Sequence, residues 1–259
     1  MDHFSGLRPA VLFLSVLSLP VMGQNIPKHA PSATDTAAAQ ELEQQGDVLR
    51  AQKDYLGSID SYRAAWKKAD SSILHNKAGI SFFQLHRASE AKKEYEHAIR
   101  LDPTYAEPHN NLGALYYYAR RYGPAVREYQ KAIKLTPENA TFHSNLGAAY
   151  FSEKDFSRAM KEFTRAVELD PGIFERQASG GATVKLVTSG ERGHLNYLMA
   201  QMYGTQNDLE KCRYYLAKAN EEGYSVRDAL RDNEFAGLRK DPNFVTYVRS
   251  LKPPAQENQ

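Results

Sequence analysis

Three histidines, His75, His109 and His143, recur at intervals of 34 residues. Imidazole nitrogens are common zinc ligands, and one zinc ion needs each ligand atom at about 2 Å. Equivalent positions on neighbouring packed helices lie about 8 to 10 Å apart or farther, so the three rings could not share one ion. We therefore interpret this periodic set as a packing position and expect no metal. The other histidines show no ligand spacing, and they include His86, His97 and His194.

Side chains able to perform covalent or acid–base chemistry form no constellation either. Cys212 is the single cysteine, which excludes an intramolecular disulfide and a cysteine-rich zinc site. The sequence contains no nucleophile elbow, no metal-ligand motif on a helix and no isolated carboxylate pair in an apolar setting. We therefore expect no enzyme activity, no cofactor and no small-molecule substrate.

The composition of the 259 residues fits a folded soluble protein, with 42% hydrophobic and 25% charged residues. The 33 lysine and arginine residues nearly balance the 31 aspartate and glutamate residues. The electrostatic field around the protein is therefore weak, unlike that of a strongly basic nucleic-acid-binding protein. We expect no nucleic acid among its partners.

The period of 34 residues extends far beyond the histidines. The recurring small residues are Gly79, Gly113 and Gly147, then Ala91, Ala125 and Ala159, then Ala98, Ala132 and Ala166. The recurring large residues are Phe82, Tyr116 and Tyr150, then Tyr95, Tyr129 and Phe163, then Leu101, Leu135 and Leu169, and the same spacing holds for Pro103, Pro137 and Pro171. Within each unit the apolar residues fall at three- and four-residue steps, which is helical spacing. A fixed period of this length indicates a stack of similar units.

Each recurring position has a physical role in a pair of helices, A and B. Small residues let two antiparallel helices approach closely, and the aromatic residues fill the space beside them. The proline ends helix B, because it has no N–H and its ring clashes with the preceding turn. The pattern therefore predicts an all-α protein built from stacked helix pairs.

Residues 106–139, AEPHNNLGALYYYARRYGPAVREYQKAIKLTPEN, resemble the tetratricopeptide repeat family, and residues 72–105 and 140–173 are similar throughout. Residues 39–71 form an earlier unit that is one residue short and lacks the proline. The resemblance implies a right-handed superhelical solenoid in which helices A line a concave groove. Such grooves usually hold extended peptides or partner helices.

A later unit, residues 193–224, keeps the spacing at an offset of 53 residues instead of 34. Its matching residues are Met199, Ala200, Tyr203, Cys212, Leu216 and Ala219. Cys212 thus occupies a small-residue core position, where a thiol packs as a small hydrophobic group. Residues 225–252 have helical apolar spacing without the repeat signature, and we expect them to cap the solenoid. Within them, Asp241 is the expected N-cap and Pro242 the first helical residue.

The 19 residues 174–192, FERQASGGATVKLVTSGER, are an insertion between two units. Loops of this length are usually either functional or disordered. The segment ATVKLV alternates as a short strand would, and such a strand could pair with the edge of a partner. The spacing of glycine, lysine and serine or threonine is not that of a phosphate loop. A partner contact and a passive loop both remain open.

Residues 1–23 have the layout of a secretory signal, since Arg8 precedes an apolar run from Ala10 to Val21 and Gly23 precedes polar residues. This run of 12 residues is shorter than the roughly 20 that span a bilayer. We expect cleavage near Gly23, and the alternative is an uncleaved anchor as the one membrane contact. Residues 24–38 and the tail, 253–259, lack apolar periodicity, and we expect both to be disordered.

The positions of helix A that are expected to face the groove carry amides, hydroxyls and aromatic rings, which suit peptide recognition. They are Asn76, Lys77, Asn110, Asn111, Tyr117, Tyr118, Ser144, Asn145, Phe151 and Ser152. Lys77, Asn111 and Asn145 share one position, which looks like part of the carboxylate clamp of chaperone-binding family members. The match is partial, because Asn145 and Thr141 stand where a full clamp would place cations. General groove binding and a merely solvated asparagine position are the alternatives.

The sequence therefore favours a non-enzymatic scaffold or adaptor that binds a peptide or helix of an envelope or secreted protein through the groove. The alternative is a structural subunit permanently packed in an envelope assembly, such as a secretion, pilus or outer-membrane biogenesis complex. The signal-like segment predicts an extracytoplasmic location, either periplasmic or secreted.

Overall fold

The computed structural model describes residues 31–174 and 189–251. Within those ranges the regular structure is helical, which confirms the all-α fold expected from the sequence. Ten α-helices form five pairs, each a helix A followed by a helix B, and the pairs stack in chain order. The pairs are α1 (Ala33–Ala51) with α2 (Tyr55–Lys68), α3 (Ser72–Gln84) with α4 (Ala88–Leu101), α5 (Ala106–Tyr118) with α6 (Tyr122–Leu135), α7 (Ala140–Ser152) with α8 (Phe156–Leu169), and α9 (Ser189–Thr205) with α10 (Leu209–Glu221).

The recurring small residues lie where helices A and B of one unit cross. A Cβ atom added to Gly113 would lie 2.8 Å from the ring of Tyr129, and one added to Gly79 would lie 2.5 Å from the ring of Tyr95. These separations are shorter than a van der Waals contact, so only glycine lets the ring of helix B lie against the backbone of helix A. The alanines of the repeat are completely buried between the same helices; they include Ala91, Ala125, Ala159, Ala98, Ala132 and Ala166.

Every helix A ends in the same turn. The residue two positions after the helix adopts a left-handed backbone with φ between 56° and 65°, and the next N–H donates to the carbonyl five residues earlier. This is the Schellman motif, which satisfies the last carbonyls of a helix. The five residues are Lys53, His86, Arg120, Lys154 and Asn207. The turn recurs in the displaced fifth unit, which supports its place in the repeat.

Helix α1 begins at Ala33, although the sequence predicted a disordered linker through residue 38. The side chain of Ser32 caps it by accepting a hydrogen bond from the N–H of Asp35 at 3.0 Å. The alanine-rich start favours helix because alanine loses no side-chain entropy there. Helix α9 begins at Ser189, so the last residues of the predicted insertion, 174–192, are helical. The segment ATVKLV of this insertion lies outside the described residues.

The C-terminal residues form the predicted helical cap. Three short 3-10 turns, Arg227–Leu230, Asn233–Phe235 and Leu238–Lys240, lead into α11 (Pro242–Ser250). Asp241 caps α11 by accepting from the N–H of Asn243 at 2.9 Å, and Pro242 is its first residue, as the sequence predicted. The side chains of Phe235 and Phe244 are completely buried in the cluster that also contains the core of α9 and α10.

No helix within 31–174 or 189–251 combines the length and apolar character needed to cross a membrane. The predicted signal segment, 1–23, the start of the predicted linker and the predicted tail, 253–259, lie outside the described residues.

Candidate partner-binding groove

Helices A line the inner side of the stack. Helix α5 contacts α3 on one side and α7 on the other, whereas successive helices B touch each other less. In a curved stack the elements that approach most closely lie on the inner surface. The candidate groove is therefore formed by α1, α3, α5 and α7.

Asparagine side chains form a hydrogen-bonded ladder along this surface. The Nδ2 of Asn145 donates to Oδ1 of Asn110 at 2.8 Å, and the Nδ2 of Asn111 donates to Oδ1 of Asn76 at 2.9 Å. The Nδ2 of Asn110 reaches Oδ1 of Asn111 at 3.4 Å, and that of Asn76 donates to Oη of Tyr105 at 3.1 Å. The ladder joins α3, α5 and α7 and fixes the orientation of each amide.

Lys77 belongs to a separate ionic cluster at the α1 end of the groove. Its Nζ lies 2.5 Å from Oε1 of Glu43 and 2.6 Å from Oδ2 of Asp47. The Oη of Tyr62 donates to the other oxygen of Asp47 at 2.8 Å. Burial alone would raise the pKa of Asp47, but the hydrogen bonds from Lys77 and Tyr62 outweigh it and hold that pKa below its usual value. The ammonium group is therefore already neutralised by two carboxylates.

An aromatic patch lies at the C-terminal ends of α3 and α5. The rings of Phe83 and Tyr118 meet edge to face with centroids 5.1 Å apart, and Tyr117 contacts Tyr122 at 5.4 Å. The hydroxyls of Tyr117 and Ser152 lie 3.0 Å apart, which links α5 to α7. Tyr118 is 45% exposed, so the patch offers a large aromatic surface to a partner.

The residues predicted to face the groove differ in how much surface they offer. Asn76 and Ser144 are each 4% exposed and Phe151 is 5% exposed, so they form the floor of the groove. Phe151 is covered because its ring packs against Phe156 and His194. Tyr118 is exposed, and the remaining six predicted residues are half-buried; these are Lys77, Asn110, Asn111, Tyr117, Asn145 and Ser152.

Sequence reasoning missed Phe83, although a signal for it exists. Phe83, Tyr117 and Phe151 are separated by 34 residues each, so the period identifies Phe83 as a member of the same position. It also missed Glu43 and Asp47. These lie in the unit that is one residue short, and nothing in their spacing predicts contact with Lys77.

The periodic histidines lie at buried positions between helices, and each pairs with a glutamate of helix B. Nδ1 of the imidazole lies 2.6 to 2.8 Å from a carboxylate oxygen 19 residues later in all three units. The pairs are His75 with Glu94, His109 with Glu128, and His143 with Glu162. The three histidine residues are at most 9% exposed, and the pairs connect helix A to helix B within each unit.

Cys212 also occupies its predicted core position and is completely buried. Burial raises the pKa of its thiol to about 12. The thiol is therefore protonated at neutral pH, and it is a packing group instead of a nucleophile.

Comparison with known proteins supports the repeat assignment. Family models described as TPR repeat and tetratricopeptide repeat match residues 79–118, 121–154 and 140–173. No curated protein matches. PilF of Pseudomonas aeruginosa is similar in structure, with a TM-score of 0.55 at 19% identity over 83% of this chain and 90% of that chain.

Two MamA structures are similar as well. MamA from Desulfovibrio magneticus RS-1 gives a TM-score of 0.50 at 15% identity over 71% of this chain and 94% of that chain. A further MamA structure gives 0.50 at 18% identity over 76% and 96%. Likenesses at such identities concern the fold, and they agree with a superhelical solenoid of antiparallel helix pairs. Residues 79–118 and 121–173 of this chain are therefore tetratricopeptide repeats.

Proposed function

We propose that this protein is a non-enzymatic scaffold or adaptor that binds a peptide or helix of an envelope or secreted partner through the concave groove. The observation that carries the proposal is the aromatic patch on the inner side of the stack. Tyr118, on a helix A, is 45% exposed, and its ring lies against Phe83 of the preceding unit. Aromatic rings of this kind provide contact area at low entropic cost.

The asparagine ladder supplies the polar half of a peptide site. A carboxamide has two N–H donors and two acceptor lone pairs, and the ladder uses only one N–H of Asn111 and of Asn145. The second N–H of each of these half-buried amides would donate to a backbone carbonyl of an extended peptide. Since the ladder already orients the amides, little side-chain entropy would be lost on binding.

Recognition of a free C-terminal carboxylate is less well supported than recognition of an internal segment. Lys77 is the one cation among the predicted groove residues, and its ammonium group contacts Glu43 and Asp47. An incoming carboxylate would have to displace these partners. We therefore expect a captured peptide to bind equally well with a free and an amidated C-terminus.

The extracytoplasmic location in this proposal depends on the signal-like residues 1–23. A permanent structural subunit of an envelope assembly is the second candidate. Val48 and Leu56 favour it, because they are 55% and 58% exposed on the first unit and are apolar. Such side chains would be buried if the first unit packed permanently against another subunit.

Site-specific photo-cross-linking in the cells that produce the protein tests the groove. A photoreactive phenylalanine analogue would replace Tyr118 in one variant and Tyr214 in the other. Tyr214 is a matched control, because it is 51% exposed but lies on a helix B, α10. We expect one defined partner adduct from position 118 and none from position 214. The same adduct from position 214 alone, or from both positions equally, would contradict groove binding.

A further inference from the structure

Asp70, His75 and His97 form a cluster outside the groove. Asp70 lies in the turn between α2 and α3, His75 on α3 and His97 on α4. One ligand atom from each of the three lies within 4.8 Å of the others. No spacing in the sequence indicates this cluster, because the three positions share no ligand motif and His97 belongs to the following helix.

A neutral imidazole ring at His75 cannot donate a hydrogen bond to both of the carboxylates that it contacts. Its Nδ1 lies 2.6 Å from Oε2 of Glu94, and its Nε2 lies 2.9 Å from Oδ1 of Asp70. A neutral imidazole carries hydrogen on only one nitrogen, whereas an ionised carboxylate only accepts hydrogen bonds. One of the two contacts therefore brings a lone pair against a carboxylate, unless a second proton or a metal ion lies there.

We propose that Asp70, His75 and His97 bind a divalent first-row transition-metal ion such as Zn²⁺. Imidazole and carboxylate are ligands that such ions accept. Glu94 completes the arrangement, because a metal-bound histidine usually donates its other N–H to a carboxylate that fixes the ring. With Nδ1–H directed at Glu94, the lone pair of Nε2 faces Asp70 and the position of the ion.

The distances fit a zinc ion after one local adjustment. Tetrahedral ligands at about 2.0 to 2.1 Å lie about 3.3 Å from one another, and Nε2 of His75 and Oδ1 of Asp70 are 2.9 Å apart. The ring of His97 stacks on that of His75 at 4.0 Å with planes 6° apart. It must tilt out of the stack so that its lone pair points at the ion. Asp70 is exposed, so water can reach the site and complete the coordination.

The next two units keep the histidine–glutamate pair but have no histidine at the position of His97. Positions 34 and 68 residues after His97 hold Lys131 and Arg165, and a cationic side chain there would repel a metal ion. The Nε2 of His143 faces the carbonyl oxygen of Pro137 at 2.9 Å. The proposed site therefore lies in one unit of the repeat, and His109 and His143 take no part in it.

Trp66 provides a local reporter of binding. It is the single tryptophan of the chain, and its ring stacks on His75 with centroids 4.3 Å apart. A paramagnetic ion bound to His75 would quench this fluorescence at short range. The untagged full chain would be titrated with Ni²⁺ while the emission of Trp66 is recorded, and Zn²⁺ would then be added as a competitor. We expect saturable quenching by one ion per chain and its reversal by Zn²⁺.

Three variants make the test specific. His97→Ala and Asp70→Asn should each weaken Ni²⁺ binding at least tenfold, and Asp70→Asn keeps the shape of an exposed side chain if His97→Ala fails to fold. His86→Ala, which removes an exposed histidine of the same unit, should leave the affinity unchanged. Absence of saturable quenching in the wild type, or equal affinity in Asp70→Asn and the wild type, would overturn the proposal. A second proton on His75 would then account for its two carboxylate contacts.

Discussion

At the scale of single residues, the groove is defined by which polar groups are already paired. Lys77 is neutralised by Glu43 and Asp47, so this end of the groove holds an internal ion cluster that joins α1 to α3. The asparagines are paired with one another across neighbouring units. Tyr118 remains the most exposed of the predicted groove residues.

The ion cluster predicts a dependence of stability on Lys77 and on pH. Lys77→Met removes the ammonium group that Glu43 and Asp47 share and leaves Arg50, 3.5 Å from Asp47, as the remaining cation. We expect it to lower the free energy of unfolding by about 1 kcal/mol at pH 7. The pKa of Asp47 lies below its usual 3.8 in the folded state. The ionised carboxylate of Asp47 therefore stabilises the fold above pH 3.8, and this contribution is lost as the pH falls from 3.8 through the lower pKa of the folded state. Urea unfolding between pH 7 and pH 3 measures both effects.

The wild type should lose more stability than Lys77→Met below about pH 4, because only the wild type loses this ion pair. Lys92→Met is the matched control, since Lys92 forms only an exposed pair with Glu96 at 3.6 Å. It should change the free energy of unfolding by at most about 0.5 kcal/mol. Equal destabilisation by the two substitutions would contradict this assignment.

The sequence predicted the residue types of the groove better than their exposure. The period identified Asn111 and Asn145 because both repeat on helix A. It could not show that Phe151 is covered, because one of its two covering residues, His194, lies beyond the insertion. Nor could the period predict that Lys77 pairs with α1, since an ion pair between two units need not recur in the others.

At the scale of helices, the first four units share one close contact, in which a glycine of helix A faces an aromatic ring of helix B. The rings are Tyr62, Tyr95, Tyr129 and Phe163, each at most 3% exposed. The sequence predicted this contact from the shared period of small and large residues. It did not predict the left-handed turns after helices A, because lysine, histidine and arginine are not residues that mark such turns.

Gly113→Ala tests the crossing of α5 and α6. Its Cβ would lie 2.8 Å from the buried ring of Tyr129, and such overpacking costs about 1 to 3 kcal/mol. Gly123→Ala in the same unit is the control, because the nearest neighbouring atom lies 3.6 Å from its Cβ. The control should be neutral or stabilising by up to about 1 kcal/mol, as alanine favours helix. Urea midpoints that shift equally for both variants would show that the crossing is not tightly packed.

At the scale of the whole molecule, the solenoid has an uneven core. One continuous cluster of buried residues runs from α6 through α10 into the cap, whereas the earlier units contain smaller separate clusters. The cap covers the apolar end of the stack, as a solenoid requires. The groove lies on helices A of the earlier and central units, so this large C-terminal cluster lies beside one end of the candidate binding surface.

The affinity of the partner that is cross-linked through position 118 tests groove binding. Calorimetric titration would compare the wild type, Tyr118→Ala and Tyr214→Ala, after circular dichroism has shown equal helicity. We predict binding at least tenfold weaker for Tyr118→Ala, which corresponds to about 1.4 kcal/mol, and within twofold of the wild type for Tyr214→Ala. Unchanged affinity for Tyr118→Ala would contradict groove binding, and weakened binding for Tyr214→Ala would place the binding surface on helices B.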